Sequence, residues 1–251
     1  MAVTVYFDAF SGISGDMVVG ALLSLGASWQ AVEEGVRSLD VDGLTVSQRK
    51  VNKGGVEAVK FDVTWSKGLL HHRHLPEILQ RLGKAALSPG VQRRAQHAFD
   101  VLASAEARIH GLTKDSVHLH EVGAEDSIAD IVAAAIAFEE VGADRCLVGP
   151  IPTGKGWMRS AHGVMPIPAP ATLELLRGFR TTAGDASCEL TTPTGAALLS
   201  AFEAKSVTGM PEGVVSAIGY GAGTMELDHP NILRAVVLDR ASDTDRGHLH
   251  G

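Results

Sequence analysis

The stretch VHLHEVGAEDSIADIV, residues 117–132, carries two histidines, two glutamates and two aspartates. In an extended strand His118 and His120 face the same side, roughly 7 Å apart along the backbone. Neutral imidazoles at that spacing suit Ni, Zn, Cu or Fe. Glu121 could add an oxygen ligand or orient one histidine from behind. The competing reading of such a pair is a solvated strand end. Asp126 and Asp130 lie four apart, on one helix face. Acids in a first turn are favoured by the helix dipole, which alone would account for Asp126. From Ile131 the run IVAAAIAF is apolar or small on every side, the pattern of a buried helix. Acids at its mouth are therefore expected to face a cleft.

Other segments offer related chemistry. LLHHRH holds His71, His72 and His74, again with an HxH spacing, and His162 stands alone beside a glycine. His248 and His250 form a third pair near the end of the chain. FSGISGDM sits between a strand pattern and a helix pattern. Gly12 and Gly15 permit tight turns, and Ser11, Ser14 and backbone N–H groups could meet an anion at the helix N-terminus. The same residues also suit a capped turn, with Ser14 as N-cap and Asp16 in the first turn. The loop has no lysine, which excludes an ordinary P-loop. Asp8, at the preceding strand end, could hold a metal or a substrate amine. LTTPTGAAL provides a second hydroxyl-rich helix start, with Thr191, Thr192 and Thr194. GYGAGT lacks the following helix of a dinucleotide site. A nucleophile elbow and a CxxC pair are both missing from the sequence.

The elements that must position these residues alternate irregularly. VTVYF reads as a strand, and Met17, Val18, Ala21, Leu22 and Leu25 give the next helix its apolar face. Ser28 suits the N-cap of a second helix. LTVSQRKV and GVEAVKFDVTW read as paired strands joined around Asn52–Gly55. Pro76 and Ser88-Pro89 open two further helices. A Gly/Pro-rich segment with short extended pieces follows the buried helix, and then come ATLELLRG and a helix with Thr192 as N-cap. Two strands, VVSAIGYGAG and NILRAVVLD, close the pattern. The expectation is an α+β fold, with mixed sheets and several packed helices, rather than a regular doubly wound sheet. Residues 1–240 are read as one domain, allowing two subdomains, and 241–251 as a polar disordered tail.

With 22 basic and 29 acidic residues the net charge is −7, which argues against a large nucleic-acid or anionic-membrane footprint. Cys146 and Cys188 are too few for a disulfide framework and are read as reduced thiols. No run approaches the roughly 18 apolar residues of a membrane span. The first residues lack a signal-peptide pattern. A cytoplasmic protein is expected.

Six segments, taken together and in order, resemble the N-terminal region of LarC-type nickel insertion proteins. They are YFDAFSGISGDMVVGALLSLGA, HHRHLPEI, VHLHEVGAEDSIADIV, PIPTGKGWMRSAHGVMPIPAPATLELLRG, ELTTPTGAAL and IGYGAGTMELDHPNILR. The resemblance implies a nickel chelatase, of the lyase class, that makes the nickel-pincer cofactor of lactate racemase-type enzymes. Its substrate would be pyridinium-3,5-bisthiocarboxylic acid mononucleotide, in which nickel gains one bond to carbon and two to sulfur. The family consumes CTP with Mn²⁺ or Mg²⁺, a function associated with a C-terminal domain that this sequence lacks. The implied partners are a separate C-terminal family domain and a lactate racemase-type apoenzyme as recipient.

Laid onto this chain, the resemblance suggests His72, His74, His118, His120, Glu121 and His162 as nickel ligands. Asp8, Ser11, Gly12, Ser14, Gly15, Thr191, Thr192 and Thr194 would bind substrate or its phosphate. Asp16 or Asp126 would take the proton lost from the pyridinium carbon. Two rivals remain at this stage: a nickel-binding delivery module without catalysis, and a metal-dependent phosphatase or nucleotide hydrolase built on Asp8, Asp16 and the Gly/Ser loop.

Overall fold

The computed structural model describes residues 3–65, 73–119, 125–160 and 163–239, with residues 73 and 118 described by their backbone. The expected tail at 241–251 lies outside the described residues, as do His71, His72, His120, Glu121 and His162.

The chain opens with strand β1 (Thr4–Asp8), helices α1 (Gly15–Ser24) and α2 (Trp29–Arg37), and the long hairpin β2 (Thr45–Lys53) and β3 (Val56–Thr64). A two-residue strand β4 (Arg73–His74) leads into α3 (Leu75–Lys84) and α4 (Pro89–His110). Strand β5 (His118–Leu119) precedes α5 (Glu125–Glu140), β6 (Arg145–Val148) and β7 (Ile151–Pro152). Next come the hairpin β8 (Gly156–Ser160) and β9 (Gly163–Ile167), α6 (Pro170–Leu175), β10 (Thr181–Thr182) and α7 (Pro193–Ala201). Strands β11 (Lys205–Ser206), β12 (Val214–Ala222) and β13 (Ile232–Asp239) complete the fold.

One mixed sheet carries the structure, with strand order β11-β6-β1-β13-β12-β3-β2. β1 runs parallel to β6 and antiparallel to β13, while β12 meets β13 antiparallel and β3 parallel. The α+β expectation holds. Alternation along β1 sorts the two faces. Val5 and Phe7 join the main core with residues of α1, α2, α4, α5 and α7. Tyr6 joins a small cluster with Leu147, Val236 and Leu238 on the far face.

Close backbone approach fixes α1 on this sheet. A Cβ on Gly221 would stand 1.9 Å from the Met17 carbonyl oxygen, and one on Gly20 would stand 2.3 Å from that of Val59. Helix and strands therefore touch backbone to backbone, and the start of α1 is set beside β3 and the end of β12. The helix α5 is buried almost throughout, as its composition requires. Ser28 and Ser88 cap α2 and α4, each accepting a backbone N–H three residues on. Among the described residues no helix is long and apolar enough to cross a membrane.

Candidate functional site

Three helix N-termini converge on one cleft of about 480 Å³. Ser14, Gly15 and Asp16 come from α1, Asp126, Ser127 and Asp130 from α5, and Thr192, Pro193 and Thr194 from α7. The opposite wall is β3, with Lys60, Phe61, Asp62 and Val63, and Trp65 and Thr224 complete the rim. Backbone hydrogen bonds tie the first and third helix starts together: Ile13 N–H donates to Leu190 O at 3.1 Å, and Thr192 N–H to Ile13 O at 3.1 Å.

The cleft is built around carboxylates and one lysine. Asp16 accepts from Lys60 Nζ and from Ser14 Oγ, and its Oδ1 also accepts the Met17 N–H at 2.9 Å. Lys60, whose side chain is only 6% exposed, also donates to Thr224 Oγ1 at 2.8 Å. Asp130 is packed so tightly against Gly15 that a Cβ there would come within 2.4 Å of Oδ2. It accepts the backbone N–H of Asp16. Burial, with the charges of Asp16 and Asp126 beside it, holds the Asp130 carboxyl well above the usual carboxylate range. Asp126, whose Oδ1 accepts the Ser127 N–H at 2.8 Å, is also raised, chiefly by burial. The two acids of α5 thus bind protons more tightly than ordinary carboxylates, whereas Asp16 is committed to an ion pair.

Several expected site residues are placed elsewhere or engaged in the fold. Asp8 pairs with Arg234, whose Nε lies 3.1 Å from Oδ2. It follows Tyr6 in the alternation of β1, so it sits on the far face from Phe7 and the helices. Asp8 and Asp16 consequently do not form one site, and the phosphatase arrangement loses its geometric basis. Ser11 is fully buried and bonds to His229 Nε2 at 3.0 Å. Gly12, at φ 89°, packs against Leu190, and its N–H is taken by Ala9 O at 2.8 Å. The Ser11 hydroxyl and the Gly12 N–H are thus engaged within the fold. Thr191 Oγ1 donates to Pro152 O at 2.8 Å in the interior. Ser14, Gly15, Thr192 and Thr194 do line the cleft. Ser14 occupies the N-cap position of α1, but its hydroxyl serves Asp16 rather than the helix backbone. Thr192 caps α7 as expected, accepting the Gly195 N–H at 3.2 Å.

The two central histidine segments meet. β4 and β5 pair antiparallel with His74 opposite His118, and directly opposed residues in such a ladder have Cα atoms about 4.5–5.5 Å apart. Sequence separation hid this contact, since the two residues are 44 positions apart. Among the described residues no group of three or more metal-ligating side chains is assembled. His72, His120, Glu121 and His162 fall outside that statement.

Lys60 is the residue that sequence reasoning missed. It lies 44 positions from Asp16, in a strand where a lysine reads as an ordinary solvated position. The only signal was its place between Val59 and Phe61. Asp130 was recognised as a neighbour of Asp126 but given no role of its own.

Comparisons with known proteins show the family. The family model described as nickel insertion protein matches residues 5–249. A pyridinium-3,5-bisthiocarboxylic acid mononucleotide nickel insertion protein of Geobacillus kaustophilus is 44% identical, the match covering 96% of this chain and 61% of that protein. A protein of the same name from Desulfitobacterium hafniense (strain DSM 10664 / DCB-2) is 43% identical over 96% of this chain and 60% of its own length. Another, from Staphylococcus saprophyticus, is 40% identical, with 92% and 59% covered. The chain thus spans about three fifths of the length of these relatives. No solved structure gives a significant match. With nearly its whole length matched, this chain belongs to the nickel insertion protein family.

Proposed function

We propose that this chain inserts nickel into pyridinium-3,5-bisthiocarboxylic acid mononucleotide, the activity carried in the names of its relatives. The observation that carries the reading is the cleft where α1, α5 and α7 begin, with Asp126 and Asp130 set beside the Asp16–Lys60 pair. Its volume of about 480 Å³ lies within the range that small-ligand sites occupy. Three helix N-termini favour an anionic substrate. With Asp16 neutralised by Lys60 and the other two acids binding protons tightly, the cleft repels such a substrate less than three free carboxylates would.

Forming a nickel–carbon bond requires the pyridinium carbon to give up its proton while its electron pair goes to the metal. A carboxylate raised above the ordinary range is a better acceptor for that proton. We assign the base to Asp126, because both oxygens of Asp16 are already engaged. Asp16 and Lys60 position the start of α1 and the cleft floor. Ser14, Gly15, Thr192 and Thr194 contact the substrate. Nickel, the cargo, is held by His74 and His118 together with His72, His120, Glu121 and His162, and passes to the two sulfur atoms and the carbon of the substrate.

CTP consumption with Mn²⁺ or Mg²⁺ is assigned to the region corresponding to the two fifths of the relatives that the match leaves uncovered. A lactate racemase-type apoenzyme is the recipient of the finished cofactor. The test is a nickel-insertion assay on the purified chain with Ni²⁺ and substrate, with and without CTP and the remaining region of a relative. Nickelated product that requires this chain supports the reading. Nickel binding without product under every condition would reduce the chain to a delivery module.

A further inference from the structure

One large side chain on the cleft wall can neither ligate nickel nor carry a proton: Trp65, one residue past the end of β3. It is half-buried, so part of the indole remains open. The other aromatic residue of the wall, Phe61, is fully buried and packs edge-on against Trp29. Among the described residues no ring stacks on Trp65. The cleft therefore offers one accessible aromatic surface, in the same cavity as Asp126.

The proposed substrate is a flat aromatic cation with anionic substituents. Its thiocarboxylate groups stand at ring positions 3 and 5, flanking the carbon that gives up its proton. Nickel must enter in the ring plane, between the two sulfur atoms, and the base must reach the same edge. The groups that hold the ring are thereby restricted to its two faces. The positive charge of the ring adds a second requirement. Three helix N-termini and Lys60 suit carboxylate and phosphate but repel a cation. The acids of the cleft are already engaged. Asp16 pairs with Lys60 and Asp62 with Arg49 at 3.0 Å, while Asp126 and Asp130 hold protons tightly. An indole face is the negative side of the ring quadrupole and attracts a cation within about 6 Å of the ring centroid.

We propose, on the substrate reading above, that Trp65 binds the pyridinium ring by its face and leaves the carbon–sulfur edge open to nickel and Asp126. Such a contact also selects among nucleotides, because a flat, charged ring gains more from it than a neutral, non-aromatic one.

The test uses nicotinic acid mononucleotide, a pyridinium nucleotide with one ring carboxylate, and its 1,4-dihydro form, whose ring has lost both charge and aromaticity. Binding to the full chain is read by isothermal titration calorimetry, without nickel or CTP. Trp65→Leu should weaken the pyridinium nucleotide about tenfold, and Trp65→Phe should restore most of the loss. The dihydro form should bind the wild type and both variants almost equally, with far-UV circular dichroism and urea midpoints unchanged. In the insertion assay Trp65→Leu should raise KM by a similar factor with kcat nearly unchanged, the mark of an interaction made equally in ground and transition states. Equal affinity of wild type and Trp65→Leu for the pyridinium nucleotide overturns the proposal. An equal loss for both ring forms also overturns it, since Trp65 would then be an apolar wall only, and so does a wild type that binds no pyridinium nucleotide at millimolar concentration. A chain that shows the Trp65-dependent preference but inserts no nickel under any condition would overturn the insertion reading and leave the ring contact standing.

Discussion

Asp126 and Asp130 are the same residue type, one helical turn apart, yet the cleft gives them different tasks. Asp126 lines the rim of the cavity and needs its carboxylate form to accept a proton. Removing a general base typically costs about 10²–10⁴-fold in rate. Asp126→Asn should therefore lower nickel insertion by at least about a hundredfold while leaving nickel binding, read by equilibrium dialysis, unchanged. In the wild type the rate should rise with pH through a carboxyl group titrating above the ordinary range, because burial raises Asp126. Full activity in the asparagine variant would falsify the assignment. Asp130 gives a prediction about stability instead. The folded protein holds its proton more tightly than the unfolded chain does. Its contribution is thus complete below about pH 4 and is lost as pH climbs through the raised folded value. Asparagine mimics the protonated acid and can still accept the Asp16 N–H. Urea midpoints of Asp130→Asn should fall less steeply between pH 5 and 8 than those of the wild type, and a steeper fall would count against a raised Asp130.

At the scale of elements, the cleft depends on how closely α1 lies on the sheet. Gly20 and Gly221 allow backbone contact, and Gly221→Ala would drive a methyl group toward the Met17 carbonyl. Overpacking of this kind typically costs about 1–3 kcal/mol. The expected outcome is a loss of roughly 2 kcal/mol in urea denaturation, together with lower insertion activity as Asp16 separates from Lys60. Retained stability with retained activity would show that the contact is dispensable. Much of this architecture was legible in the sequence. The caps at Ser28, Ser88 and Thr192 and the all-apolar run of α5 each have local causes, and each element appears where its pattern placed it. What could not be read locally was convergence. Nothing near Asp16 pointed to Lys60, and nothing near His74 pointed to His118, because strand pairing and the glycine contacts decide those meetings. Asp8 was open to better reading. The alternation of Val5 and Phe7 against Tyr6 already set it on the opposite face from the core.

For the whole molecule, the order of strands matters more than the order of the chain. β1, the first strand, lies between β6 from the middle and β13 from the end. The main core likewise mixes Val5 and Phe7 with Leu198 of α7 and Leu233 of β13. The sequence allowed two subdomains over residues 1–240, and this interleaving argues for one cooperative unit. Its tryptophans report on different places: Trp29 packs edge-on against Phe61 with ring centroids 6.4 Å apart, Trp65 lines the cleft, and Trp157 is on the exposed hairpin. Urea unfolding followed by tryptophan fluorescence and by far-UV circular dichroism should therefore give coincident transitions. Deleting residues 207–239 removes β12 and β13, which separate β1 from β3 in the sheet. It also removes the backbone surface on which α1 rests. That shortened chain should show no cooperative transition, and it should have lost the cleft along with the fold. Two resolved transitions in the full chain, or a cooperatively folded truncation, would mean that the site is carried by a smaller unit than the sheet topology requires.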